Sequence, residues 1–84
     1  MDQHIDIQKC LLAFARILEK GEQVTGGYFL EGVTARSMDD CYTVILGNRE
    51  CQLSIYFHNK FGVESASQKS TDSFIKLLYR IADQ

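Results

Sequence analysis

The apolar residues change period twice along the chain, and this constrains the fold more than any other feature. Between Ile5 and Lys20, Ile7, Leu11, Phe14 and Leu18 recur at spacings of four, three and four. That is one face of an α-helix, widened by Cys10 and Ile17, with Lys9, Arg16 and Lys20 on the other side. Asp2 or Asp6 can cap its start, and Gly21 supplies the left-handed residue that commonly follows a helix end. From Gly27 to His58 the period is two. Strands are expected over Tyr28–Ser37, Cys41–Leu46 and Cys51–His58, separated by turn signals at Asp39-Asp40 and Gly47-Asn48. Beyond a polar connection, "NKFGVESASQKS", with a brief extended piece at Phe61–Glu64, the helical period returns. Phe74, Leu77, Leu78 and Ile81 form its stripe, and the helix starts near Ser70 or Thr71 with Asp72 in its first turn.

Strand register follows from requiring the apolar sets to share a face. Leu46 opposite Cys51 places Val44 against Leu53 and Tyr42 against Ile55, with Val33 and Ala35 on the same side. A meander with one apolar face must cover it, and two amphipathic helices are available. The expected fold is therefore α+β: a two-layer sandwich of helix, three-stranded antiparallel meander and helix, with both helices on one face of the sheet. With 84 residues and no proline, the chain is expected to form one α-β-β-β-α domain over 1–84.

Composition limits function. A formal charge of −2 disfavours a general nucleic-acid binder. The longest apolar run, Cys10–Ala15, is too short to cross a bilayer, and Asp2 and Asp6 stand where a signal peptide carries basic residues. Three cysteines without paired spacing suit reduced thiols. The expectation is a cytoplasmic protein with no membrane contact.

Several constellations can be weighed. The register above places Asp39, Cys41, Tyr56 and His58 together on the helix-free face, and a thiol, an imidazole and a carboxylate are the parts of an activated-thiol site. No oxyanion hole or closed pocket accompanies them, so a thiol enzyme or redox site at Asp39, Cys41 and His58 ranks third among the functions considered. Metal ligation is not expected, since there is no CxxC or HxxxH and Cys41 and Cys51 point to opposite faces. No cofactor is expected either. The glycines make no phosphate-cradling pattern.

The helix–three strands–helix order matches the double-stranded RNA-binding domain, whose last helix begins with a lysine cluster. Here "SQKSTDSF" offers Lys69 beside Asp72, and "SMDD" would present acid to phosphates. A nucleic-acid alternative would use Lys60, Lys69, Lys76 and Arg80.

The leading expectation is a non-enzymatic interaction or regulatory module. Its outward sheet face would carry Tyr28, Leu30, Ile45 and Tyr56 among Thr34, Thr43 and Ser54, with His58 and Asn59 closing the third strand. That strand would also be an unprotected edge, suited to a protein partner or a homodimer, unless residues 61–64 cover it.

The segments "YFLEGVTA", "CYTVIL", "LSIYFHNKF" and "DSFIKLLYRI" resemble a small bacterial family, domain of unknown function 3081, over nearly the whole chain. The resemblance rests on Gly32, Thr34, Ala35, Asp39, Tyr42, Thr43, Phe57, His58 and Asn59, with Cys41 where a turn glycine is expected. It implies an α+β fold and a cytoplasmic location, and makes His58 and Asn59 candidates for a structural or recognition role. It adds no mechanism.

Overall fold

In the computed structural model, which describes residues 5–37, 43–56 and 60–84, two helices cover one face of a six-stranded antiparallel sheet. Helix α1 spans Ile7–Lys20 and α2 Gln68–Ala82. The strands are β1 (Glu22–Val24), β2 (Gly27–Leu30), β3 (Val33–Ser37), β4 (Val44–Gly47), β5 (Cys51–Ile55) and β6 (Phe61–Ser65), each paired with the next in sequence. The expected α+β class is correct and the strand count of three is not.

The extra strands come from two short turns and a polar link. Glu31 (φ 50°) and Gly32 (φ 89°) form a two-residue turn between Leu30 and Val33, which pair directly. Positive φ at both central residues is the geometry that closes the tightest hairpins. The expected single strand Tyr28–Ser37 is therefore a hairpin. A second tight turn at Thr25–Gly26, with Gly26 at φ 87°, adds β1. The extended piece expected at Phe61–Glu64 is β6, which covers β5. The third predicted strand is thus no edge; β1 and β6 are the outer strands.

The β4–β5 register also differs from expectation, by two residues: Leu46 faces Leu53 and Val44 faces Ile55. Asn48 sets it. Its side-chain Oδ1 accepts from the backbone N–H groups of Glu50 (2.9 Å) and Cys51 (2.8 Å), and its own N–H donates to the Cys51 carbonyl. The turn tip falls at Arg49–Glu50, later than the composition suggests. Because the shift is an even number, the faces of both strands are preserved.

The inner face is built from rows of direct neighbours. One runs Gln23, Tyr28, Ala35, Leu46, Leu53 and Val63 across all six strands. Helix α1 packs over β2 and β3, α2 over β5 and β6, and the two helices against each other. Cys10, Ala13, Ile17, Val33, Ala35, Leu46, Leu53, Phe74, Leu78 and Ile81 are wholly or almost wholly buried. Each large member contributes roughly 1.5–3 kcal/mol, and truncating one such as Leu46 to alanine costs about 2–5 kcal/mol.

Both helix starts are capped. Asp6 accepts from the Lys9 N–H, and Ser67 from the Ser70 N–H, three residues before the expected start of α2. Two expectations about α1 fail. Its buried face centres on Cys10, Ala13 and Ile17, while Leu11 and Leu18 are exposed. Tyr79 explains part of the rotation: its hydroxyl accepts from the Asp6 N–H (2.8 Å), and Lys9 Nζ stands 5.4 Å from its ring centroid, so the Lys9 flank faces α2. Gly21 is extended (φ −80°, ψ 170°), not left-handed. Glycine is needed there for room, because a Cβ would collide with the carbonyl oxygens of Ile17 and Phe29.

Candidate functional site

The helix-free face of the sheet lies opposite the two helices. Two rows of outward residues cross it. The first runs Glu22, Phe29, Thr34, Gly47, Gln52, Glu64, every neighbour a direct strand partner. The second includes Arg36, Ile45, Ser54 and Gly62 in the same way, with Val24 and Gly27 paired at its far end. Tyr56 adds a ring over Gly62: a Cβ at position 62 would stand 3.6 Å from its Cε2 and Oη.

Between these rows lies an open groove of about 930 Å³ lined by Phe29, Gly32, Thr34, Arg36, Ile45, Gly47, Asn48, Arg49, Glu50 and Gln52. Its floor is low because Gly47 has no side chain and Thr34 a small one. Its wall is the β4–β5 turn held by Asn48. Ile45 is buried on this floor and Phe29 exposed at its rim. Arg36 and Arg49 bring two guanidinium groups to it against the single carboxylate of Glu50, while Glu22 and Glu64 close the row at the margins of the sheet. The apolar surface of Phe29 and Ile45, the planar cations of Arg36 and Arg49 and the amide of Gln52 are groups that can contact a polypeptide chain.

The expected contact set is only partly on this face. Ile45 and Tyr56 point outward as expected. Tyr28 and Leu30 do not: they pair with the buried residues Ala35 and Val33 and pack against the core. The Glu31–Gly32 turn resets the alternation, so Phe29 takes the outward place that a continuous strand would give to its neighbours. The signal was present as "LEGV", an acidic residue and glycine between two apolar ones.

A family model described as protein of unknown function (DUF3081) matches residues 5–84. The chain belongs to this DUF3081 family. No curated protein and no solved structure matches it. Of the family-like residues, Gly32 forms the tight turn, Thr34 lies on the groove floor and Ala35 faces the core of this DUF3081 chain. Asp39, Tyr42, Phe57, His58 and Asn59 lie outside the described residues, as does Cys41, so the thiol cluster of Asp39, Cys41 and His58 does too.

The two described cysteines are buried and free. Burial, aided by the Asp6 carboxylate, pushes the Cys10 thiol up to about 11. Burial also raises Cys51, against a smaller opposing effect from its hydrogen bond with Thr71. Both are protonated at neutral pH and poor nucleophiles. Among the described residues no group of three His, Cys, Asp or Glu could hold a metal ion, and no helix is long and apolar enough to cross a membrane.

Lys69, Lys76 and Arg80 are exposed along one side of α2, at steps of seven and four residues. Asp72 and Asp83 are exposed on the same helix and its cap. Lys60 stands apart, in the link between β5 and β6, where its carbonyl accepts from the Tyr56 N–H. The six-stranded meander also departs from the three-stranded order on which the RNA-binding likeness rested.

Proposed function

We propose that this DUF3081 protein is a non-enzymatic interaction module that receives a protein partner across its helix-free sheet face. The observation that carries the reading is the glycine-floored groove between Phe29, Ile45 and Gln52, walled by Arg36 and Arg49. An extended segment fits best: an apolar side chain would rest on Ile45 and Phe29, and an adjacent carboxylate would meet the guanidinium groups. A separate part of the partner could add hydrogen bonds at the outer backbone edge of β1 or β6, each one strand beyond the groove lining. The cytoplasm remains the expected location, and nothing in the reading requires a cofactor.

A photoreactive phenylalanine analogue in place of Phe29 or Gln52 tests this in cells. The reading predicts one dominant crosslinked protein from both positions and none from Lys76 on α2. Equal labelling from all three positions, or labelling from Lys76 alone, would refute it. In the nucleic-acid alternative, Lys69, Lys76 and Arg80 form the contact stripe. That alternative predicts retention on a phosphate resin that falls steeply with salt.

A further inference from the structure

Helix α1 turns its apolar side outward as well as inward. Leu11, Leu12 and Leu18 are 38%, 43% and 40% exposed, and Ala15 between them is exposed too. With Gln8 and Glu19 they occupy one arc of about 120°, opposite the buried Cys10, Ala13 and Ile17. Four of six residues on a solvent-facing helix side are therefore apolar, the reverse of an ordinary surface helix. The polar flank is turned aside, since Lys9 lies over the Tyr79 ring.

We propose that this face of α1 is a self-association surface that takes a second copy of the chain in antiparallel, two-fold contact. The arrangement of its polar residues selects that occupant. Gln8 lies near one end and Glu19 near the other. A two-fold axis through the middle of the helix sets Leu11 and Leu12 against the second copy's Ala15, a small residue that permits close approach. It brings Gln8 beside the second copy's Leu18 and Glu19, so an amide meets a carboxylate. The two Glu19 side chains then lie about 16 Å apart along the axis, and the helix dipoles oppose. A parallel pair would place Glu19 against Glu19. Arg16, Lys9 and Lys20 flank the Leu12 side of this face. A lipid surface still fits less well than a second copy, because Glu19 lies within the apolar arc, where a membrane would bury its carboxylate with no amide to meet it.

One helix face about 21 Å long is smaller than a standard interface of roughly 800 Å² per partner. The pair is therefore a concentration-dependent dimer. It leaves both helix-free sheet faces free and directed away from each other, so the dimer is bivalent. The inference is independent of what binds the sheet face.

Sedimentation equilibrium from micromolar to millimolar concentration tests it. The wild-type mass should rise from 9.6 kDa towards twice that value. Leu11→Glu and Leu12→Glu should stay monomeric with an unchanged circular dichroism spectrum, and Ile45→Glu should dimerise as wild type does. Amide shifts of the wild-type protein, followed with concentration, should move at Leu11, Leu12, Ala15 and Leu18, which tests the surface even if a variant fails to fold. A monomer at every concentration would overturn the proposal. So would a dimer lost in Ile45→Glu and kept in Leu12→Glu, shifts confined to β6, or binding of α1 to anionic vesicles in place of self-association.

Discussion

Leu30 pairs directly with Val33, across a turn only Glu31 and Gly32 long. This contact decides which side chains reach the helix-free face. It turns Tyr28 and Leu30 toward the helices and leaves Phe29 outside, opposite Thr34.

The turn has a correctable strain. Glu31 holds φ 50°, a conformation that costs an ordinary L-residue about 1–2 kcal/mol and asparagine less. Glu31→Asn should raise stability by roughly 0.5–1 kcal/mol, even though it gives up the exposed hydrogen bond that Gln84 Nε2 donates to Glu31. Urea titration measures the gain as a higher midpoint at constant slope.

Asn48 should be costly to remove. Its side chain satisfies two backbone donors at the β4–β5 turn, one of them part-buried at Cys51. Asn48→Ala is expected to lose about 1–3 kcal/mol. Hydrogen exchange at Glu50 and Cys51 should speed up before the rest of β5 does, which separates local loosening from global unfolding.

Two glycines should respond in opposite ways. A Cβ at Gly21 would stand 2.8 Å from the Phe29 carbonyl oxygen and nearer still to that of Ile17, backbone atoms that cannot step aside. Gly21→Ala is expected to cost more than about 3 kcal/mol, in the severe range for single substitutions. A Cβ at Gly47 would meet the Cys51 carbonyl oxygen at 3.5 Å, an ordinary contact. Gly47→Ala should therefore fold as well as wild type or up to about 1 kcal/mol better.

Cys10 should make the protein sensitive to alkali. Its thiol ionises near 11 in the folded chain, against 9.0 for the unperturbed group. Below pH 9 both states hold the proton and the contribution is constant. Between 9 and about 11 the unfolded chain releases it first, so stability falls as pH rises. The loss is on the order of 2 kcal/mol. Comparing pH 8 with pH 10.5 in wild type and Cys10→Ala cancels the cavity cost. The variant should lose less.

Much of the architecture was legible because periodicity reports packing. The two helices, the inner positions of Val33, Ala35, Leu46 and Leu53, and the extended piece at Phe61 all follow from apolar spacing. Parity across a turn did not. Residues 28–37 alternate acceptably as one strand, and only the positive φ tolerated at Gly32 reveals the break. The same limit misplaced Tyr28 and Leu30 in the candidate contact face and missed Phe29, while Ile45 and Tyr56 survived because an even register shift preserves faces. The phase of α1 was misread for another reason. Leu11 and Leu18 are larger than Ala13 and Cys10, but close packing beside the sheet and α2 favours the smaller pair.

In the proposed function a partner segment lies in the groove over Gly47. The most direct measurement is amide chemical-shift mapping with a peptide selected for binding to the wild-type protein, repeated with Gly47→Ala. Shifts are expected along Phe29, Thr34, Gly47 and Gln52 and along Arg36, Ile45 and Ser54, with at least tenfold weaker binding in the variant, a loss of about 1.4 kcal/mol, at a stability no lower than that of wild type. Shifts on α1 or α2, or full affinity with the groove floor filled, would contradict it.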